Sequence, residues 1–212
     1  MAKSNLIIIG DGETAEVAYE YLQANYEIKA FLVEKAYLKK NEVFGIPVHC
    51  LEDIQNQFPN HSYKIFVAVS FVDSNKLRQR LFDMLAGMGY QFVSFIHPSV
   101  QLGKDAVVGS NCLVLENVVL QRKVTIGNNV FIWSGSVIAH QSTVANHAFI
   151  ASGVMVSGFC EVGSRAFLGV GSKLMDYIKI ADDCTIGGGA FVNRNTEAGK
   201  TYVGVPARLI KK

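Results

Sequence analysis

The sequence predicts two domains of different kinds: a small α/β domain with a parallel sheet, then a parallel β-solenoid of hexapeptide repeats. Three observations carry this. Every sixth residue from Leu102 to Val192 is aliphatic. Before that stretch, strand-like apolar runs alternate with segments of helical spacing. The change from one pattern to the other falls at "IHPS", around His97-Pro98, which sets the predicted domains at residues 1–97 and 98–212.

The solenoid is read first because its period never slips. Leu102, Val108, Val114, Leu120, Ile126, Ile132, Ile138, Val144, Ile150, Val156, Val162, Leu168, Leu174, Ile180, Ile186 and Val192 form the series. Two places before each stands a small or β-branched residue, as at Ala106, Cys112, Val118, Ser136 and Ala148. An uninterrupted period of six fits neither a helix nor a sandwich; it signals a parallel β-solenoid. Inward residues two apart suit a strand, and the other positions of each hexad supply a turn. Three sides close one coil, so sixteen aliphatic positions predict five coils and one further side. At the usual strand spacing that is a prism on the order of 25 Å tall.

The first 97 residues read as strand, helix, strand, strand, helix, strand. "NLIIIG" is a buried strand ending in a glycine turn. "ETAEVAYEYLQANY" has helical spacing, with Val17, Tyr21 and Leu22 on one side. "IKAFLV" and "YKIFVAVS" are strands, "SNKLRQRLFDMLAGMGY" is a helix, and "QFVSFI" is a fourth strand. Such alternation argues for a parallel sheet with helical crossovers.

Composition narrows the function classes. The chain has 212 residues, 50% of them hydrophobic, only 18% charged, and a net charge of +2. Neither nucleic acid nor a membrane surface is called for, and Lys39-Lys40 and Lys211-Lys212 read as solvated surface. No run approaches the ~18 apolar residues of a membrane span. The opening "MAKSNLIIIGDGE" lacks the cleavage pattern of a signal peptide. None of the four cysteines forms a CxxC pair, and Cys112, Cys160 and Cys184 fall at small inward positions. A cytoplasmic chain with reduced thiols is expected.

Two places could carry chemistry. Gly10-Asp11-Gly12-Glu13-Thr14-Ala15 fits G-x-G-x-x-[GA] between a strand and a helix, and Glu34 follows at the end of the second strand. That reads as a nucleotide-type site, with a ligand-free tight turn as the alternative. Asp11 and Glu13 place negative charge where a pyrophosphate would approach. The second place is "GSVIAHQSTVANHAFIASG", with His140 and His147. His140 lies two places after inward Ile138, and His147 three after inward Val144, so both are expected at corners, facing outward. Imidazole is the natural proton acceptor near neutral pH. Two histidines at different corners are poorly placed for one ion, so no metal is expected.

Several stretches resemble a known family. "IIIGDGETAEVA", "FGIPV", "FIHPSV", "IAHQSTVANHAFIASG" and "IADDCTIGGGAFVNRNTEAGKTYVGVPARLI" are similar to hexapeptide-repeat sugar acyltransferases with a Rossmann-like N-terminal domain. This branch includes bacterial nucleotide-linked 4-amino-sugar N-acetyltransferases and sialic acid O-acetyltransferases. The resemblance implies a left-handed β-helix, a homotrimer, and acetyl-CoA or another acyl-CoA as co-substrate. It also implies a nucleotide-linked amino sugar as acceptor, in bacterial surface glycan synthesis such as that of lipopolysaccharide. By the same resemblance His140 is the general base. Phe149, Val170 and Gly188 contact acyl-CoA, while Gly12, Glu13, Thr14, Val33 and Glu34 hold the sugar nucleotide. The chain departs from the pattern at Gln141, where an acidic residue usually follows the base, at Phe149, usually histidine, and at Trp133, often asparagine. Gln141 and Trp133 are therefore candidate modulators. The alternative functions are sugar O-acetylation and a non-catalytic trimeric ligand-binding module.

Overall fold

A computed structural model describes residues 3–210, so Lys211-Lys212 lie outside the described residues. The described residues divide into two compact units, one of residues 3–72 with 77–94 and one of residues 73–76 with 95–210.

In the first unit the sheet is built from β1 (Ser4–Ile9), β2 (Tyr26–Val33), β3 (Glu42–Val43), β4 (Ile46–Cys50), β5 (Lys64–Val67) and β6 (Gln91–Phe92), in the order β3-β4-β2-β1-β5-β6. All neighbours are parallel except β3 and β4. Leu6, Ile7, Ile8 and Ile9 are all buried, as a parallel strand covered on both faces requires. Helix α1 (Glu13–Leu22) buries Thr14, Ala15, Ala18 and Leu22. Val17 and Tyr21 are only half-buried, because the narrow stripe against the sheet is taken by smaller side chains. Leu51, Ile54, Phe58, Leu81, Phe82 and Leu85 pack with the inner side chains of the strands.

Two elements differ from the sequence reading. Strand β4, from "IPVHC", was not expected; it pairs with β2 and is tied to β3 through Phe44-Gly45, both with positive φ (53° and 73°), as a two-residue hairpin turn demands. And "QFVSFI" is not one strand. Gln91–Phe92 pairs with Lys64–Ile65 in the first unit, whereas Phe95–Ile96 pairs with Leu113–Val114 in the second. The second helix expected from the sequence, α2, spans Lys76–Gly87; Ser74 and Asn75 stay outside it because Asp73, Ser74 and Asn75 are all left-handed.

The second unit is the solenoid. Two-residue strands recur every six residues from Phe95–Ile96 to Phe191–Val192. Each up to Lys173–Leu174 pairs in parallel with the strand eighteen residues on, as Leu113 does with Phe131. Three sheets result, which we call A (from Phe95–Ile96), B (from Gln101–Leu102) and C (from Val107–Val108). An antiparallel tail of Thr201–Val203 and Arg208–Leu209 extends sheet A.

At most corners the second turn residue is left-handed, as at Asn111, Asn129, Gln141, Phe159 and Tyr177, with glycine at 135, 153, 171 and 189. The prism core holds the expected aliphatic series together with buried Cys112, Cys160 and Cys184; all four cysteines are free. Serine replaces an inward apolar residue at three places: Ser136 Oγ donates to the Ala151 carbonyl at 2.9 Å and Ser142 Oγ to that of Ser157 at 2.8 Å, whereas the buried Ser172 Oγ has no hydrogen-bond partner among the described residues. Leu102 corrects the expectation of an unbroken buried series. It is 53% exposed, because it lies in the first strand of its sheet and has no preceding coil to cover it.

Candidate active site

The glycine turn opens a cavity of about 410 Å³ in the first unit, at the carboxyl ends of β1, β2 and β5. This is where open α/β sheets bind ligands. Gly12, Glu13, Thr14, Val33 and Glu34 all line it, together with Tyr37, so the five positions proposed for the acceptor come together. The two glycines differ in role. Gly10 has φ +111°, and a Cβ there would stand 2.9 Å from the Ala68 carbonyl oxygen, so the fold itself demands glycine. Gly12 is extended (φ −92°, ψ −174°) at the start of α1, and a Cβ would meet nothing within 4 Å. Glycine at 12 leaves backbone open to a ligand rather than relieving the fold.

Two charged side chains bond to residues that line it. Arg80 NH1 and NH2 donate to Glu34 Oε1 and Oε2 at 2.9 and 2.8 Å, and this carboxylate holds the guanidinium pKa above its ordinary value. Lys40 Nζ donates to the Asp11 carbonyl at 2.7 Å and lies 3.6 Å from Glu16 Oε1. It thus sets a cation at the turn where Asp11 and Glu13 looked unfavourable for a phosphate. Neither Arg80 nor Lys40 was singled out as a site residue, since Arg80 reaches Glu34 and Lys40 reaches the turn from distant segments.

In the second unit His140 and Gln141 form a turn between sheets B and C. The His140 backbone N–H donates to Gln121 Oε1 at 2.9 Å. Its imidazole lies over Gly158, whose added Cβ would come 2.6 Å from Cε1. Its ring centroid is 5.1 Å from that of Phe159, at 83°. Gln141 is exposed and left-handed.

His147 is not the outward-facing corner residue expected. It is 6% exposed, and Nδ1 pairs with Asn129 Nδ2 at 2.9 Å. Asn111 Nδ2 in turn donates to Asn129 Oδ1 at 2.7 Å. Since Asn129 Oδ1 already accepts, its amide is the donor to His147, which places the imidazole proton on Nε2. The same column continues to Arg165, which forks onto Asp183 at 2.7 and 2.8 Å. Its carbonyl accepts from Asn75 Nδ2 at 3.0 Å. His147 is thus part of a buried polar column, taken up by structure.

The positions proposed for acyl-CoA lie elsewhere on the prism. Phe149 sits on sheet A, 5% exposed, with its ring 5.5 Å from that of Phe167. Trp133, half-buried, has its ring 6.1 Å from Phe149. Val170 and Gly188 occupy equivalent places at the corner between sheets A and B, both exposed, and the Gly189 N–H donates to the Val170 carbonyl at 2.8 Å. One chain therefore groups Val170 with Gly188 but holds His140 at a different corner. Among the described residues no group of three or more His, Cys, Asp or Glu could hold a metal ion, and no helix is long and apolar enough to cross a membrane.

Residues 5–85 match the PglD N-terminal domain, and residues 123–158 match the bacterial transferase hexapeptide (six repeats). The chain has the two-part build of the hexapeptide-repeat acetyltransferases, an α/β domain followed by a left-handed β-helix. Among solved structures it is similar to PerB from Caulobacter crescentus in complex with CoA and GDP-perosamine, at 27% identity over 99% of both chains and a TM-score of 0.89. The fold is shared with the acetyltransferase domain of PglB from Neisseria gonorrhoeae, at 24% identity over 98% of this chain and 100% of that one, TM-score 0.88. It is shared also with WeeI from Acinetobacter baumannii, at 19% identity over 98% and 100%, TM-score 0.84. No curated protein sequence matches.

Proposed function

We propose that the chain is an acetyl-CoA-dependent N-acetyltransferase acting on the amino group of a nucleotide-linked amino sugar, in bacterial surface glycan synthesis. The observation that carries this reading is end-to-end similarity to a perosamine N-acetyltransferase bound to CoA and GDP-perosamine. The two jobs are split. The first unit holds the sugar nucleotide through Gly12, Glu13, Thr14, Val33 and Glu34, and the second unit carries out acyl transfer.

In the reaction the neutral amine attacks the thioester carbonyl, forming the C–N bond. His140 accepts the proton that nitrogen loses, and the C–S bond breaks as the tetrahedral intermediate collapses. The CoA thiolate then takes the proton back from the imidazolium, which restores His140. No covalent enzyme intermediate is required.

The separation of His140 from Val170 and Gly188 within one chain supports a site completed by a second copy, and so a homotrimer. We place the protein in the cytoplasm, where its four free thiols stay reduced. The test is to mix protein, acetyl-CoA and nucleotide-linked amino sugars and read product mass. A gain of one acetyl on the amino sugar, absent with the deaminated hydroxyl sugar, is expected. Acetylation of the hydroxyl sugar alone would overturn N-transfer.

A further inference from the structure

We propose that Gly158 and Phe159, braced by Tyr177, position the imidazole of His140 for proton transfer. The inference rests on His140 being the base. The residue after His140 is Gln141, exposed and in a left-handed conformation, and among the described residues no carboxylate hydrogen-bonds the His140 ring to fix its rotation. A general base works only when its lone pair is aimed at the proton it receives, and displacement by about 1 Å costs on the order of 10²-fold.

Packing supplies the aim. Below the ring lies Gly158, one coil on from His140, since the Phe159 N–H donates to the His140 carbonyl at 3.0 Å. An added Cβ at Gly158 would stand 2.6 Å from Cε1 and 3.1 Å from each ring nitrogen, so the imidazole occupies space that any other residue would fill. Gly158 has no positive φ to require glycine; the ring above it is the reason. The backbone there is fixed, because the Gly158 N–H donates to Asp176 Oδ1 at 2.9 Å.

Phe159 forms the side wall. Its ring meets that of His140 nearly at right angles, a favoured aromatic geometry. Phe159 is locked in turn, stacked on Tyr177 at 4.8 Å and 9°. Tyr177 is 69% exposed and makes a poor core residue, but it immobilises a side chain that touches the base. The chain of contacts runs Tyr177 to Phe159 to His140.

The test uses the full-length protein with acetyl-CoA and its amino-sugar acceptor, measuring kcat and both KM values for Gly158→Ala, Phe159→Leu and Phe159→Tyr. Gly158→Ala is expected to lower kcat roughly 10- to 100-fold with both KM values within about twofold of wild type. Phe159→Leu is expected to lower kcat by about tenfold, and Phe159→Tyr, which keeps the ring, to restore most of it. Should Gly158→Ala fail to fold, the two Phe159 variants decide. Wild-type kcat in Gly158→Ala or in Phe159→Leu overturns the proposal, as does a Phe159→Tyr no better than Phe159→Leu. His140→Ala separates the two ideas: if it stays active the base assignment fails, and if it is inactive while Phe159→Leu is normal, only the positioning role fails.

Discussion

Arg80 grips Glu34 through two parallel hydrogen bonds at the edge of the cavity in the first unit. Glu34 is one of the five positions assigned to the sugar nucleotide, and the fork holds its carboxylate in one orientation. With the Arg80 side chain half exposed, solvent screening leaves such a pair worth up to about 1 kcal/mol. Arg80→Ala should therefore raise KM for the sugar nucleotide up to about fivefold and leave KM for acetyl-CoA unchanged. Steady-state kinetics with each substrate varied in turn checks this; an equal rise in both constants would show that the fork serves the fold rather than the ligand.

The two glycines of the turn should separate stability from binding. Gly10→Ala forces a Cβ against the Ala68 carbonyl at a φ that alanine rarely adopts, and should cost more than about 1 kcal/mol. Gly12→Ala meets no atom and should melt at the wild-type temperature while weakening acceptor binding. Calorimetry on both variants, followed by titration with the sugar nucleotide, distinguishes them. The same Tm for the two would refute the assignment.

His140 and His147 should fail in different ways. His140→Ala should lower kcat by the ~10²–10⁴-fold associated with losing a general base, with acyl-CoA binding and Tm retained. His147→Ala leaves the buried Asn129 amide without the acceptor it has now, and should cost about 1–3 kcal/mol of stability. Its kcat, measured well below its Tm, should stay near wild type. An inactive but stable His147→Ala would exchange the two roles.

Acid should loosen the polar column at a predictable place. The Arg165 fork holds the Asp183 carboxyl below its ordinary pKa. A carboxyl depressed in the folded state binds fewer protons there than in the unfolded chain, so it stabilises above the unfolded value of about 3.9. That stability is lost as pH falls from there through the folded value. Asp183→Asn should thus be less stable than wild type at pH 7, with the gap narrowing as pH drops below about 4. Denaturant melts at pH 7 and pH 3 test this, and a gap that stays constant counts against it.

The prism was legible because its aliphatic period forces one inward face per hexad, so Leu120 or Ile138 could be placed without coordinates. "QFVSFI" misled because its apolar run carries no mark where Val93-Ser94 separate the two sheets. His147 was misplaced because corners were treated as solvent-facing. The signal was nonetheless present: Asn111, Asn129, His147, Arg165 and Asp183 follow one another at steps of eighteen, so polar side chains stack in line once the coil length is known. Gly158 under His140 is legible by the same step. Arg80 and Lys40 were not, because what brings them to Glu34 and to the glycine turn is the packing of the α/β unit, which has no fixed period.

The eighteen-residue coil makes the length of this protein a quantised variable. Adding or removing a whole coil keeps every column facing its former direction and shifts what lies beyond it by one strand spacing, roughly 4.8 Å. A change of six residues instead turns everything downstream by a third of a revolution, carrying Val170 and Gly188 onto a different edge. A change of one residue exchanges inside for outside. Changes of length that keep the columns aligned therefore come in whole coils, and any other must be carried in a corner loop, as where Thr201 pairs with Thr185 only sixteen residues before it.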